Sequence, residues 1–175
     1  MKIVMVMVSS INGKITNQND PNIYSWTSKE DSVHFYSLIN NHNLIVMGRK
    51  TFEAAKDKIK LEPDKLRIVL TKSPDLYKDK TIPGQLEFSC ETINKLVERL
   101  AKSGYKKILL VGGSEINRLF LKYKLVNEIY LTLEPVLFGK GNQLLETVKL
   151  EQDLKLVSFK KLNIKGTLLL HYKVI

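Results

Sequence analysis

Short apolar runs alternate along the chain with segments of helical periodicity. Five runs are rich in Val, Ile, Leu and Met and have the length of a single buried strand. They lie at 3–8, 44–47, 67–70, 108–111 and 128–133. Because they lack a regularly repeated polar position, we expect strands that are covered on both faces.

Four segments between the runs have helical character, and they lie at 28–41, 49–58, 91–104 and 114–124. The third is the clearest, because Ile93, Leu96 and Leu100 share one face and Gly104 follows as a stop signal. Strands that alternate with helices predict an α/β fold, with a mostly parallel sheet flanked by helices.

The C-terminal segment has a different pattern. Two apolar stretches, at 154–162 and 166–175, are joined by a short turn that leaves no room for a helix. We therefore expect an antiparallel hairpin at the edge of the sheet, which would also supply a surface for a homodimer. Since no repeat or linker divides the chain, residues 1–175 are interpreted as a single domain.

Composition indicates a compact protein without membrane spans. Hydrophobic residues make up 43% and charged residues 26% of the sequence. No apolar run reaches the ~18 residues that a membrane helix needs. Cys90 is the single cysteine, and the three histidines have no metal-ligand spacing. We therefore expect a cytoplasmic protein without a metal site.

The formal net charge of +10 allows two interpretations. A nucleic-acid-binding module would use this charge to bind phosphates, whereas a lysine-rich solvated surface would not need a polyanionic partner. The lysines are spread over the whole chain and no nucleic-acid-binding motif is present, which favours the solvated surface.

Three of the apolar runs are followed by residues suited to binding anions. The sequences are GRKT at 48–51, TKSP at 71–74 and GGSE at 112–115, and ligands of open α/β sheets bind at such carboxyl ends of strands. Each alone also fits a helix cap or a turn. Together they predict a site for a ligand with several phosphates, although neither a Walker A motif nor G-x-G-x-x-G is present.

An acidic residue stands at the head of the first predicted helix. Asp31 lies three residues after Ser28, and its neighbour Glu30 lies three residues after Thr27. Either acid could therefore close a capping box. Helical phase separates the two acids, because Asp31 shares its face with Phe35 and Leu38 and should point inward. A carboxylate that faces an apolar interior is a candidate for proton transfer or cation recognition.

These motifs together resemble the dihydrofolate reductase superfamily over nearly the whole chain. The similar residues are Trp26 followed by Asp31, LIVMGRKTFE at 44–53, RIVLTKSPD at 67–75, LLVGGSEINRLFL at 109–121 and EIYLT at 128–132. The resemblance implies a mixed, mostly parallel sheet of about eight strands. It also implies NADPH bound across the strand ends and hydride transfer to a small-molecule pteridine or a related pyrimidine.

The resemblance further assigns roles to residues. Asp31 would hold the substrate ring and help protonate its imine nitrogen, and Trp26, Phe35 and Thr132 would belong to the substrate site. Lys65 stands where the family has an arginine that clamps the folate glutamate. The cofactor would be bound by the three strand ends and one loop residue: Ile15, Gly48, Arg49, Lys50, Thr51, Thr71, Lys72, Ser73, Gly112, Gly113, Ser114 and Glu115. Gly112 and Gly113 match a glycine pair that the family joins by a cis peptide.

Two branches of the superfamily compete. SSINGKIT at 9–16 and LEPVLFGKGNQLL at 133–145 resemble the reductase domain of the bifunctional riboflavin-pathway deaminase-reductase, whereas GRKTFE at 48–53 resembles dihydrofolate reductase. The main prediction is NADPH-dependent reduction of dihydrofolate to tetrahydrofolate. The alternative is reduction of a ribosylaminopyrimidine 5′-phosphate. The polar loop 9–25 is the candidate lid over the nicotinamide.

Overall fold

The computed structural model describes residues 1–18, 20, 22–146 and 149–175, which include one eight-stranded sheet. Its strands are β1 (Lys2–Ser10), β2 (Leu44–Gly48), β3 (Leu66–Leu70), β4 (Leu86–Ser89), β5 (Lys107–Leu110), β6 (Glu128–Glu134), β7 (Leu154–Lys161) and β8 (Leu168–Val174). Their spatial order is β4-β3-β2-β5-β1-β6-β8-β7.

Strand directions confirm the predicted mixed, mostly parallel sheet. The six strands from β4 to β6 in that order run parallel to one another. The last two form the predicted C-terminal hairpin: β8 pairs antiparallel with β6 and with β7. All of β7 is exposed to solvent, and the prediction that this hairpin supports a homodimer stays a prediction.

Four α-helices lie close to the predicted segments: α1 (Lys29–Asn40), α2 (Arg49–Ala55), α3 (Ile93–Lys102) and α4 (Ser114–Lys122). α2 is shorter than predicted, because the chain continues as a 3-10 turn over Lys56–Lys58. Two further 3-10 turns cover Ile23–Ser25 and Pro74–Lys80.

The helices cover both faces of the sheet, which explains the uninterrupted apolar strands. Leu96 of α3 and Phe120 of α4 pack on one face. Phe35 of α1 and Phe52 of α2 pack on the other. Within the described ranges, no helix has the length and apolar character needed to cross a membrane.

One strand, β4, was absent from the sequence prediction. Its two inward apolar residues, Leu86 and Phe88, are separated by Glu87 in a strand of four residues. Two alternating positions are too few for a period-2 signal. This strand forms the edge of the sheet beside β3.

Candidate active site

The three predicted anion-binding segments follow strands that are neighbours in the sheet. They come after β3, β2 and β5, which stand side by side in that order. A hydrogen bond of 2.8 Å from the Gly48 amide to the Gly112 carbonyl joins two of the segments. They border one continuous cleft of about 2200 Å³. This volume exceeds the roughly 300–1,000 Å³ of an ordinary small-molecule site, so the cleft can hold a long ligand or two ligands side by side.

Most of the residues assigned to the cofactor border this cleft: Ile15, Gly48, Arg49, Lys50, Thr51, Thr71, Lys72, Ser73, Gly113, Ser114 and Glu115. Gly112 is not among the lining residues. Its φ of +86° is in the left-handed region, and the peptide between Gly112 and Gly113 is cis, as the resemblance implied. The cleft-facing member of the pair is therefore Gly113.

No hydroxyl side chain of the described residues caps the N-terminus of α2 or α4. Gly113 is the N-cap of α4 and makes no side-chain capping bond, and Gly48 is in the same position before α2. Ser114 instead donates a hydrogen bond to the Gln143 carbonyl. The amide groups of the first turn of α4 therefore lack a side-chain cap, which suits an anionic ligand.

The two cations at these strand ends, Arg49 and Lys72, differ in whether they form an ion pair. Arg49 Nη1 lies 3.0 Å from Glu53 Oε2 in a largely exposed ion pair, which contributes little stability. Lys72 is exposed and makes no ion pair with any residue of the described ranges. Glu53 engages Nη1 of Arg49, so the other N–H groups of this guanidinium and the Lys72 ammonium are the donors suited to a phosphate.

Asp31 points inward, as helical phase predicted. It is 8% exposed and borders the cleft at the start of α1. The Ser28 hydroxyl accepts a hydrogen bond of 3.2 Å from the Asp31 amide, so Ser28 caps the helix. The reciprocal bond of a capping box is missing, because the Ser28 amide donates to Glu134 instead. The Asp31 carboxylate therefore does not accept the capping hydrogen bond from the Ser28 amide.

Burial raises the pKa of Asp31 to about 6. The nearby Glu134 carboxylate adds to this rise, and the Thr132 hydroxyl opposes it. Thr132 Oγ1 thus lies close enough to Asp31 to act on its pKa, although it is buried and has no hydrogen-bond partner among the described residues. The Asp31 carboxyl can exchange a proton near neutral pH.

Aromatic side chains surround Asp31 at the same end of the cleft. Tyr24, Phe35 and Tyr36 all border it. Burial, followed by a hydrogen bond with Tyr36, raises the pKa of Tyr24, so its phenol stays protonated. Lys58 Nζ lies 3.2 Å from the centre of the Tyr24 ring. Flat rings beside a carboxyl form a pocket suited to a flat heteroaromatic ring.

Three residues assigned to the substrate are not among those that line this cleft: Trp26, Lys65 and Thr132. Trp26 packs edge-on against Phe138, with ring centroids 5.2 Å apart. Lys65 is 4% exposed, and its Nζ is 3.0 Å from Glu62 Oε2. Its partner Glu62 borders the cleft but Lys65 does not, so the assignment of Lys65 to a substrate tail stays a prediction.

A buried cation that does border the cleft is Arg67, which the sequence analysis missed. It is 4% exposed, and its Nη2 is 3.3 Å from Glu62 Oε1. Its Nη1 is buried without a hydrogen-bond partner in the described part of the chain. The sequence signal that could have identified Arg67 was its position as a cation among apolar strand residues. A buried, unpaired guanidinium N–H favours an anionic ligand.

The proposed lid segment is partly attached to the opposite wall of the cleft. The Ile15 amide donates to the Asn142 carbonyl at 2.8 Å, and the Gln18 amide donates to the Lys140 carbonyl at 3.0 Å. Positions 19 and 21 of the predicted lid lie outside the described residues. Closure of this segment over a ligand stays a prediction.

Sequence comparison gives one family for almost the whole chain. Residues 1–168 match the RibD C-terminal domain. The uncharacterised Bacillus subtilis protein YyaP is 26% identical to this chain, over 90% of this chain and 87% of YyaP. The uncharacterised protein YwjB of the same organism is 27% identical, over 95% of this chain and 90% of YwjB. A Candida albicans dihydrofolate reductase is 32% identical, but over 53% of this chain and 45% of its own.

Solved structures agree on the fold. A pyrimidine reductase-like protein of Corynebacterium diphtheriae superimposes with a TM-score of 0.83 at 17% identity, over 99% of this chain and 92% of that one. A putative riboflavin biosynthesis protein of Shewanella has a TM-score of 0.80 at 19% identity, over 100% of this chain and 99% of that one. A Thermotoga maritima deaminase and 5-amino-6-(5-phosphoribosylamino)uracil reductase has a TM-score of 0.77 at 16% identity. The match covers 99% of this chain but 56% of that protein.

Proposed function

The chain belongs to the RibD C-terminal domain family of dihydrofolate-reductase-like reductases, and from this we propose that it is an NADPH-dependent reductase of a phosphorylated ribosylaminopyrimidine. The observation that carries the proposal is Arg67, which borders the cleft and whose buried Nη1 has no hydrogen-bond partner among the described residues. The phosphate of such a substrate would supply the missing acceptor.

The cofactor proposal is supported by the three strand ends. A Cβ placed on Gly113 would meet Thr51 Oγ1 at 3.4 Å and Ile15 Cδ1 at 4.0 Å, and all three residues border the cleft. Phosphates would meet the uncapped start of α4 and the cations Arg49 and Lys72. These two cations favour NADPH over NADH, because the former carries an additional phosphate. When bound, NADPH supplies the hydride of the reaction.

Asp31 would supply the proton. A ribosylamine opens to an imine; hydride adds to the imine carbon, the π electron pair moves to nitrogen, and that nitrogen takes up a proton. With its pKa raised to about 6 by burial, the Asp31 carboxyl can give this proton and recover another from solvent. Tyr24, Phe35 and Tyr36 would hold the pyrimidine ring beside it.

The test is a comparison of substrates and variants. We expect NADPH oxidation with the ribosylaminopyrimidine 5′-phosphate to exceed that with dihydrofolate in kcat/KM. Arg67→Met should raise KM for the phosphorylated substrate by about 10²-fold, the value of one or two lost charged hydrogen bonds. The same variant should change KM for the dephosphorylated substrate by less than about threefold.

Lys65→Met is the matched control, because Lys65 is equally buried and pairs with the same Glu62 but lies outside the cleft. It should leave both KM values nearly unchanged. A higher kcat/KM for dihydrofolate, or equal effects of the Lys65 and Arg67 variants, would contradict the proposed substrate.

A further inference from the structure

The carboxylate of Glu134 is buried at the base of the candidate active site. It is 3% exposed and lies at the end of β6, two residues after Thr132. Glu134 Oε1 accepts a hydrogen bond of 2.7 Å from the Ser28 amide. Its Oε2 accepts one of 2.7 Å from the Thr167 hydroxyl. One side chain thus joins the start of α1, the end of β6 and the segment before β8.

The bond to Ser28 is the one that a capping box normally reserves for the acid three residues into the helix. Here that acid is Asp31, whose amide already donates to the Ser28 hydroxyl. Because Glu134 occupies the Ser28 amide, the Asp31 side chain has no capping bond to make. A capped Asp31 would have folded back over the helix end, whereas the observed Asp31 borders the cleft.

We infer that Glu134 is a positioning residue: it takes over the capping bond of α1 and thereby releases the Asp31 carboxyl toward the bound substrate. Its second effect is electrostatic. The groups that act on the Asp31 carboxyl from other elements include Glu134 of β6 and Tyr24 of the 3-10 turn, and neither carries a positive charge. The negative charge of Glu134 therefore favours a proton on Asp31.

The role in catalysis rests on the proposed function, but the titration of Asp31 can be measured on the ligand-free protein. In Glu134→Gln, which keeps the size and one acceptor oxygen, we expect the Asp31 pKa to fall by about half a pH unit or more, because the like charge is gone. Carboxyl ¹³C chemical shifts of labelled aspartate give this value directly. An unchanged or raised Asp31 pKa in a folded Glu134→Gln protein would overturn the inference.

Two further variants keep the test decisive if Glu134→Gln is poorly folded. Glu128→Gln removes another acid from the same strand, paired with Lys2 and His171 instead, and should leave the Asp31 titration unchanged. Thr167→Val removes one hydrogen bond of Glu134 but keeps its charge, so the Asp31 pKa should not fall. A fall of about half a pH unit or more in either variant would overturn the electrostatic role.

Activity gives an independent comparison. If Asp31 gives the proton, kcat/KM should decrease as pH rises through about 6 in the parent protein. In Glu134→Gln this decrease should begin at lower pH. Failure of turnover in the parent would count against the proposed function, whereas an unshifted profile in an active variant would count against Glu134.

Discussion

Asp31→Asn should lower kcat/KM by about 10²- to 10³-fold near pH 6, the usual contribution of a general acid. Asparagine keeps the size and polarity of the side chain but cannot give a proton to the substrate nitrogen. NADPH oxidation measured between pH 5 and 8 checks this, and the residual rate of the variant should not follow the titration of a group with a pKa of about 6. A variant with full activity would show that Asp31 has no role in proton transfer.

The same substitution should stabilise the folded protein at high pH. Burial raises the pKa of Asp31 from an ordinary value of 3.8 to about 6, so folding favours the protonated form. The stability this provides is complete below about pH 4 and is lost as pH rises through 6. At pH 8, Asp31→Asn should therefore increase the free energy of unfolding by up to about 3 kcal/mol. Urea unfolding at pH 4 and pH 8 measures the difference, and an equal change at both values would contradict it.

Gly141→Ala should disrupt the attachment of the loop that carries Ile15. A Cβ at Gly141 would lie 2.0 Å from the Thr16 carbonyl oxygen, and φ there is +142°. The obstacle is backbone, so neither side can move without losing hydrogen bonds between the two segments. We expect a local destabilisation of about 2–4 kcal/mol. Faster hydrogen exchange of the Ile15 amide, which bonds to Asn142, reports it.

Gly139→Ala is the matched control for that experiment. Gly139 lies two residues earlier in the same loop, and a Cβ there would meet no atom within 4 Å. Exchange of the Ile15 amide should be unchanged in this variant. If the two alanine variants behave alike, the close contact between Gly141 and Thr16 does not hold the loop in place.

The fold was predictable because most of its strands are buried on both faces. Continuous apolar runs predicted all the parallel strands except β4, whose Leu86 and Phe88 alternate with polar residues over too short a length. The spatial order of the strands depends on long-range packing, so local patterns could not supply it. The structure supplies that order and places the three predicted strand ends side by side.

The candidate site was predictable where local geometry controls it. Helical phase placed Asp31 inward because its position within α1 is fixed by the helix itself. The resemblance pointed to Lys65, whereas the structure leaves Lys65 out of the cleft lining and shows Arg67 in it, with an Nη1 that has no partner among the described residues. Glu134 escaped notice because it is 106 residues from Ser28. A contact of that range has no signal in a local pattern.

The most direct test of the account is a titration of the protein with NADPH, followed by backbone amide chemical shifts. The central claim is that the ends of β2, β3 and β5 jointly bind the phosphates of this cofactor. We expect saturable shifts in all three segments, at 48–51, 71–73 and 113–115, and smaller shifts at Lys72 when NADH replaces NADPH. Shifts that leave these segments unchanged while others respond, or no binding at millimolar NADPH, would contradict the claim.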